Sequence, residues 1–248
     1  MSVSANWFQV WFNSPYYHKL YFQRDQQNVE LFTKRLIEKF KPSPESVLVD
    51  LACAQGSVSR VMAGMGYDVT GIDLAPESIS SAKQYETEKL HFYQHDLRLP
   101  FWINYFDYAF SLFSTFGYFR TEHEHYNAIR TISQSLRGGG TFVLDYLNVH
   151  YAENNLVHKQ ELEIAGVTYF ITKWFDETHF FKKIVIEDEA LHEPLEYIEK
   201  VSKFSLGDFT DMLSFHRLQI QEVFGDHQFS PYDVNKSPRL LMIAKKIV

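Results

Sequence analysis

The run Val47-Leu48-Val49-Asp50-Leu51 constrains this chain more than any other stretch. It is apolar, rich in valine and without polar alternation, the pattern of a central parallel strand buried on both faces. A loop of small residues, Ala52 to Gly56, follows it, and Val58, Val61, Met62 and Met65 then recur at helical spacing before Gly66. The same grammar predicts a second strand over 68–72, a helix opened by Pro76 with Glu77 in its first turn, a third strand over 90–94 and a fourth over 106–112. Thr121 and Glu124 form a capping-box signature for a helix that reaches Leu136. Gly138-Gly139-Gly140 is expected to end that helix ahead of a fifth strand over 141–144. Strands that alternate with helices imply a parallel sheet with right-handed crossovers.

The flanks follow other patterns. Upstream, an aromatic segment from Trp7 to Phe22 leads into a helix predicted over 25–40, where Val29, Phe32, Leu36, Ile37 and Phe40 share one face. Downstream of Asn148, four strand-like stretches (158–165, 167–175, 179–188 and 195–204) are separated by short turns, which reads as an antiparallel insertion. A helix over 206–216 capped by Ser205 and two strands over 218–224 and 239–246 complete the chain. The expected class is α/β: a doubly wound, mostly parallel, seven-stranded Rossmann-like sheet with its last strand antiparallel, and a small antiparallel β insertion after strand five.

Composition narrows the function. Lysine and arginine number 24 against 31 aspartates and glutamates, a net charge of −7, and no segment concentrates the basic residues, so nucleic acid is not an expected partner. The single cysteine, Cys53, excludes an intrachain disulfide framework and a multi-cysteine zinc site, and the cytoplasm is the expected compartment. The first residues carry no secretory pattern, and the longest apolar run, 101–119, is interrupted by Asn104 and Asp107, so no membrane association is expected. His123 and His125 lie at a charged helix start and read as a solvated face; no metal site is expected. Aromatic residues reach 17%, an excess that needs a place in the fold.

The chemistry concentrates after the first strand. A loop of small residues lets a ligand approach the backbone, and Asp73, ending the second strand 23 residues after Asp50, stands near the offset at which an acid grips a ribose diol. The glycine fingerprint of a dinucleotide site is missing: the loop holds only Gly56, and Gly64-Met65-Gly66 falls between a helix and a strand. This opposes a nicotinamide-dependent oxidoreductase and favours a nucleoside without a pyrophosphate.

Asp50-Leu51-Ala52-Cys53-Ala54-Gln55-Gly56 resembles the first motif of class I S-adenosylmethionine-dependent methyltransferases of the small-molecule type. The likeness continues through Gly66 to Leu74, His95-Asp96-Leu97, Phe106-Asp107-Tyr108 and Leu136 to Gly140, and so covers most of 45–147. The segment Tyr16 to Asp25 resembles the opening of a bacterial subgroup of these enzymes. The resemblance implies that Asp50, Ala52, Cys53 and Gly56 surround the methionine part of S-adenosyl-L-methionine, with Asp73 and Leu74 at the ribose and Asp96 and Leu97 at the adenine. It further puts Leu112 and Phe113 at the sulfonium side and Tyr21 and Arg24 near the methionine carboxylate. Ala54 stands where the family has its second glycine, and a methyl group there narrows the channel or shifts the loop.

The implied reaction is methyl transfer to an O, N or C atom of a small-molecule acceptor, leaving S-adenosyl-L-homocysteine. Cys53 reads as a loop residue rather than a nucleophile. His18 is a candidate base, Asp145 a candidate holder of an activating water, and Tyr118 and Tyr146 are candidates to border the acceptor. The chain divides into a lid and helix (1–44), a cofactor-binding core (45–147), an insertion serving as substrate cap or dimer contact (148–204) and closing elements (205–248). A monomer or homodimer is expected, and a non-catalytic relative that binds the same nucleoside as a regulatory ligand is the alternative.

Overall fold

The computed structural model describes residues 7–21 and 26–247. The chain begins with α1 (Trp7–Phe12), α2 (Pro15–Tyr21) and α3 (Gln26–Phe40). It alternates through β1 (Val47–Leu51), α4 (Ser57–Gly64), β2 (Asp68–Asp73), α5 (Pro76–Lys83), β3 (Leu90–Gln94), β4 (Phe106–Ser111), α6 (Glu122–Ser135) and β5 (Leu136–Leu147). A short α7 (Val149–Asn154) precedes β6 (Lys159–Ile164), β7 (Val167–Phe175), β8 (His179–Glu187) and β9 (Leu195–Ser202). Then come α8 (Leu206–Phe215), β10 (Leu218–Phe224) and β11 (Arg239–Lys246).

The apolar run of β1 sits in the middle of a seven-stranded sheet of order β3-β2-β1-β4-β5-β11-β10, as its lack of polar alternation requires. β1 to β5 pair in parallel, and β11 lies antiparallel to both β5 and β10. From β1 the chain builds outward through β2 to β3, then returns to place β4 on the other side of β1. That reversal opens a crevice beyond the carboxyl ends of β1 and β4, where open α/β sheets bind ligands. Helices α3 and α4 pack with Leu48, Val69, Phe92 and Phe110, while α6 and α8 pack with Val49, Phe106, Phe142 and Leu144.

The insertion is a separate antiparallel sheet of order β6-β7-β8-β9. Trp11 of α1 is fully buried with Val167, Tyr169, Ile171, Ile184 and Ile186, and its ring lies 4.4 Å from that of Tyr197. The aromatic N-terminal segment and the insertion thus share one small core. Ser202 N–H donates to the Gly117 carbonyl (2.9 Å) and the Tyr146 hydroxyl donates to the Ser202 carbonyl, which fastens β9 to the main body.

Four local expectations are corrected. Gly138-Gly139-Gly140 lies inside β5 rather than ahead of it: Phe106 pairs with Leu136 and Tyr108 with Thr141, so the glycines form an irregularity in which Gly139 takes φ 78°. The capping box at Thr121 is half formed. Its hydroxyl accepts from Glu124 N–H, while the Glu124 carboxylate bonds Arg98 and Arg120. α7 was not anticipated; Asn148 caps it by accepting from His150 N–H. His125 is no solvated residue but is 1% exposed, with its ring against Phe204, Phe119 and Phe116. Among the described residues, no helix is long and apolar enough to cross a membrane.

Burial pushes the His125 imidazole down to about 4, against a usual value near 6.5. The unfolded chain therefore binds a proton there that the native chain refuses, and stability is lost as pH falls from about 6.5 towards 4. In urea unfolding, His125→Leu is expected to show a shallower loss of stability between those pH values than the wild-type chain; equal slopes would contradict it.

Candidate active site

The carboxyl ends of β1, β2 and β4, the segment after β3, and residues of α1, α2, α3 and β9 line one cavity of about 210 Å³. Asp50, on β1, lines it and also ties down the following helix: its Oδ2 accepts from Ser59 N–H (3.1 Å) and the Ser59 hydroxyl (2.5 Å). Burial pushes the Asp50 carboxyl up to about 7 against those two bonds. Ala52, Cys53 and Ala54 follow as cavity lining, with Ala52 at φ 55° and Ala54 at φ 49°, in the left-handed region that favours glycine. Gly56 does not line the cavity. It takes φ 76° at the start of α4, where a Cβ would come 2.5 Å from the Phe92 ring, so its glycine serves the turn and the close approach.

Asp73 ends β2 at the cavity. Its Oδ2 accepts from Ala54 N–H (2.9 Å) and its Oδ1 from Ala75 N–H (2.8 Å). Burial raises its carboxyl, and the backbone bonds work the other way. Leu74 lies beside it. Asp96 and Leu97 line the same space after β3. Burial opposes ionisation of Asp96, but hydrogen bonds and charge from Arg98 outweigh it and hold the carboxyl below its usual range. Leu112 and Phe113 complete the wall beyond β4. Cys53 is buried, and burial pushes its thiol well above the usual value, which removes the thiolate a nucleophile needs.

Tyr21 and Tyr118 also line the cavity, whereas Arg24 lies outside the described residues. Neither His18, the candidate base, nor Asp145, the candidate holder of a water, is among its lining residues. His18 is half-buried on α2, where burial lowers its imidazole and the Glu77 charge partly offsets this. Asp145 is fully buried on β5, outside the lining. Its carboxylate accepts from Phe113 N–H (2.8 Å) and Arg239 Nε (2.9 Å) and pairs with His227 Nε2 (3.1 Å). Burial works against its ionisation, but the Arg239 charge and the His227 bond hold it below the usual range. Asp145 thus bonds the β4 exit, and its carboxylate lies outside the cavity lining. Tyr146 is likewise buried in the core.

Among the lining residues that the sequence reading missed, Glu199 stands out by its charge. Glu199, on β9, is 7% exposed and its Oε1 accepts from Trp11 Nε1 (2.7 Å) and the Tyr21 hydroxyl (2.5 Å). Burial, and then the Glu199 charge, push the Tyr21 hydroxyl well above its usual value. The only sequence signal for Glu199 was its place in a strand of the insertion.

Residues 49–144 match the family described as Methyltransferase domain. The fold is that of S-adenosylmethionine-dependent methyltransferases. The crystal structure of one from Clostridium acetobutylicum ATCC 824 aligns with a TM-score of 0.78 at 15% identity, over 94% of this chain and 97% of that one. SAM-bound CalS10, an amino pentose methyltransferase from Micromonospora echinaspora, aligns with a TM-score of 0.70 at 16% identity, over 94% and 97% of the two chains. In sequence, the "Putative methyltransferase YqeM" of Bacillus subtilis (strain 168) is 29% identical over 101 residues, 40% of this chain and 41% of that protein's length. The match thus spans less than half of the curated relative. Domain and fold together support S-adenosyl-L-methionine as the cofactor.

Relief of the left-handed backbone gives a test of the loop. A side chain in that region costs about 1–2 kcal/mol, and glycine returns part of this as unfolded-state entropy, so Ala54→Gly is expected to stabilise the fold by about 0.5–1 kcal/mol in urea unfolding. A destabilised variant would show that the Ala54 methyl packs rather than strains.

Proposed function

We propose that this chain transfers the methyl group of S-adenosyl-L-methionine to an O, N or C atom of a small-molecule acceptor. The observation that carries the proposal is that Asp73, Asp96 and the backbone of 52–54 line one cavity at the point where the strand order reverses. The residues fit the nucleoside. A carboxylate offers about four lone-pair sites, so Asp73, with two taken by Ala54 and Ala75, keeps capacity for a ribose diol. Asp96 is read as the acid at the adenine amino group; its two oxygens already accept from Arg98 N–H, Nε and Nη2, so it takes the amino group only by giving up one of those bonds, with Leu74 and Leu97 along the ring system. Asp50 fixes the loop that borders the methionine part, and Arg24 receives its carboxylate.

When bound, the sulfonium supplies an activated methyl group. The protein's work is then alignment and exclusion of water. α1 and α2, seated on the second sheet, close the acceptor side with Phe8, Phe12, Tyr17 and Tyr118. The acceptor is read as small because the cavity is enclosed by these elements, and the compartment as the cytoplasm.

Calorimetric titration with S-adenosylmethionine and S-adenosylhomocysteine is expected to show binding of both; a chain that binds neither is not a methyltransferase. Asp73→Ala is expected to weaken that binding by about 1.5–3 kcal/mol, the scale of hydrogen bonds to a charged group. Unchanged affinity in a folded variant would remove Asp73 from the ribose.

A further inference from the structure

We infer that the acceptor is an amine and that Glu199 selects it; the inference rests on the methyl-transfer reading. A carboxylate buried as deeply as Glu199 needs donors. Trp11 and Tyr21 supply them, and both converge on Oε1. Oε2 forms an ion pair with Lys182 Nζ at 3.8 Å, longer than a hydrogen bond, and Lys182 also donates to the Tyr21 hydroxyl. One oxygen is thus fixed by the protein, and the other keeps acceptor capacity in a side chain that lines the cavity.

The surroundings decide what that oxygen receives. The rings of Phe8, Phe12, Tyr17, Tyr118 and Phe119 line the same cavity, and ring faces attract cations. Asp73 and Glu199 place carboxylates there, Asp96 is paired with Arg98 from outside the lining, and no lysine or arginine lines the cavity among the described residues. An acceptor that carries a carboxylate or phosphate meets like charge. An alcohol satisfies Oε2 but gains nothing from the ring faces. An ammonium donates a charge-assisted hydrogen bond to Glu199 and is attracted by the rings; passing that proton to Oε2 frees the nitrogen lone pair to attack the methyl carbon as the carbon–sulfur bond breaks and its electron pair stays on sulfur. The two donors to Oε1 come from α1 and α2, so the selecting group forms only when the N-terminal helices are seated on the second sheet.

The test uses the full chain saturated with S-adenosylhomocysteine and a panel of ring compounds that differ only in bearing an amine, a hydroxyl or a carboxylate, beginning with cyclohexylamine, cyclohexanol and cyclohexanecarboxylate. Binding is read by saturation-transfer NMR. Amines are expected to bind about tenfold more tightly than their alcohols, with carboxylates weaker still, and Glu199→Gln is expected to abolish the preference while S-adenosylhomocysteine affinity stays within about twofold. Should Glu199→Gln not fold, Glu199→Asp keeps the charge and is expected to keep the preference with weaker amine binding. A panel without amine preference, a preference that survives Glu199→Gln, or amine affinity unchanged by Glu199→Asp would overturn the inference. A wild-type chain that fails to bind S-adenosylhomocysteine would overturn the methyl-transfer reading instead, and the panel would then report on Glu199 alone.

Discussion

The two bonds made by the Asp73 carboxylate organise the nucleoside half of the molecule. One reaches Ala54 in the loop after β1 and the other Ala75 in the loop after β2. Adjacent parallel strands are fixed by their ladder, but the loops beyond their ends have no ladder, and this carboxylate supplies the missing connection. Asp50 does the same one strand over, where Ser59 anchors α4 to the end of β1. Asp50 is buried and Asp73 beside it is partly buried, and the cost of withdrawing them from water is visible in the raised carboxyls. Their charge is useful to a ligand that brings donors, which is what a diol and an ammonium-bearing amino acid do.

The opposite wall depends on a different economy. Phe113 and Ser114 both adopt left-handed backbone, at φ 60° and 59°, a conformation that is unfavourable for a phenylalanine. Asp145 holds them there through Phe113 N–H and, by its own carbonyl, Ser114 N–H, and Arg239 of β11 closes the network on the Ser114 hydroxyl. Residues near the end of the chain therefore support a wall of the cavity that they do not touch.

Much of the nucleoside half was legible because its signals are local. The run of β1, the loop after it, Asp73 at the end of β2 and Asp96 beyond β3 each lie within a few residues of the element that positions them. The misreadings share a cause. Asp145 lies near the carboxyl end of β5, a strand that points at the crevice, but its carboxylate is claimed by Arg239 and His227, 94 and 82 residues away. His125 sits among charged neighbours in sequence and among phenylalanines in space. Glu199 looks like any glutamate on a small strand, and its donors are 178 and 188 residues away. The aromatic excess also becomes intelligible only in space, as the core between α1, α2 and the second sheet and as rings along the cavity.

That shared core has a consequence for how such a molecule diversifies. Trp11 comes from α1 and its apolar neighbours come from β7 and β8, so this small core is one structural unit encoded in two distant pieces. Recombination that exchanges the insertion alone would strand Trp11 without its pocket, and exchange of the first twenty residues alone would leave the pocket without its tryptophan. On the proposed methyl-transfer reading, acceptor preference belongs to the two segments together, and a chimera that moves both changes it while leaving the loops after β1 and β2 untouched.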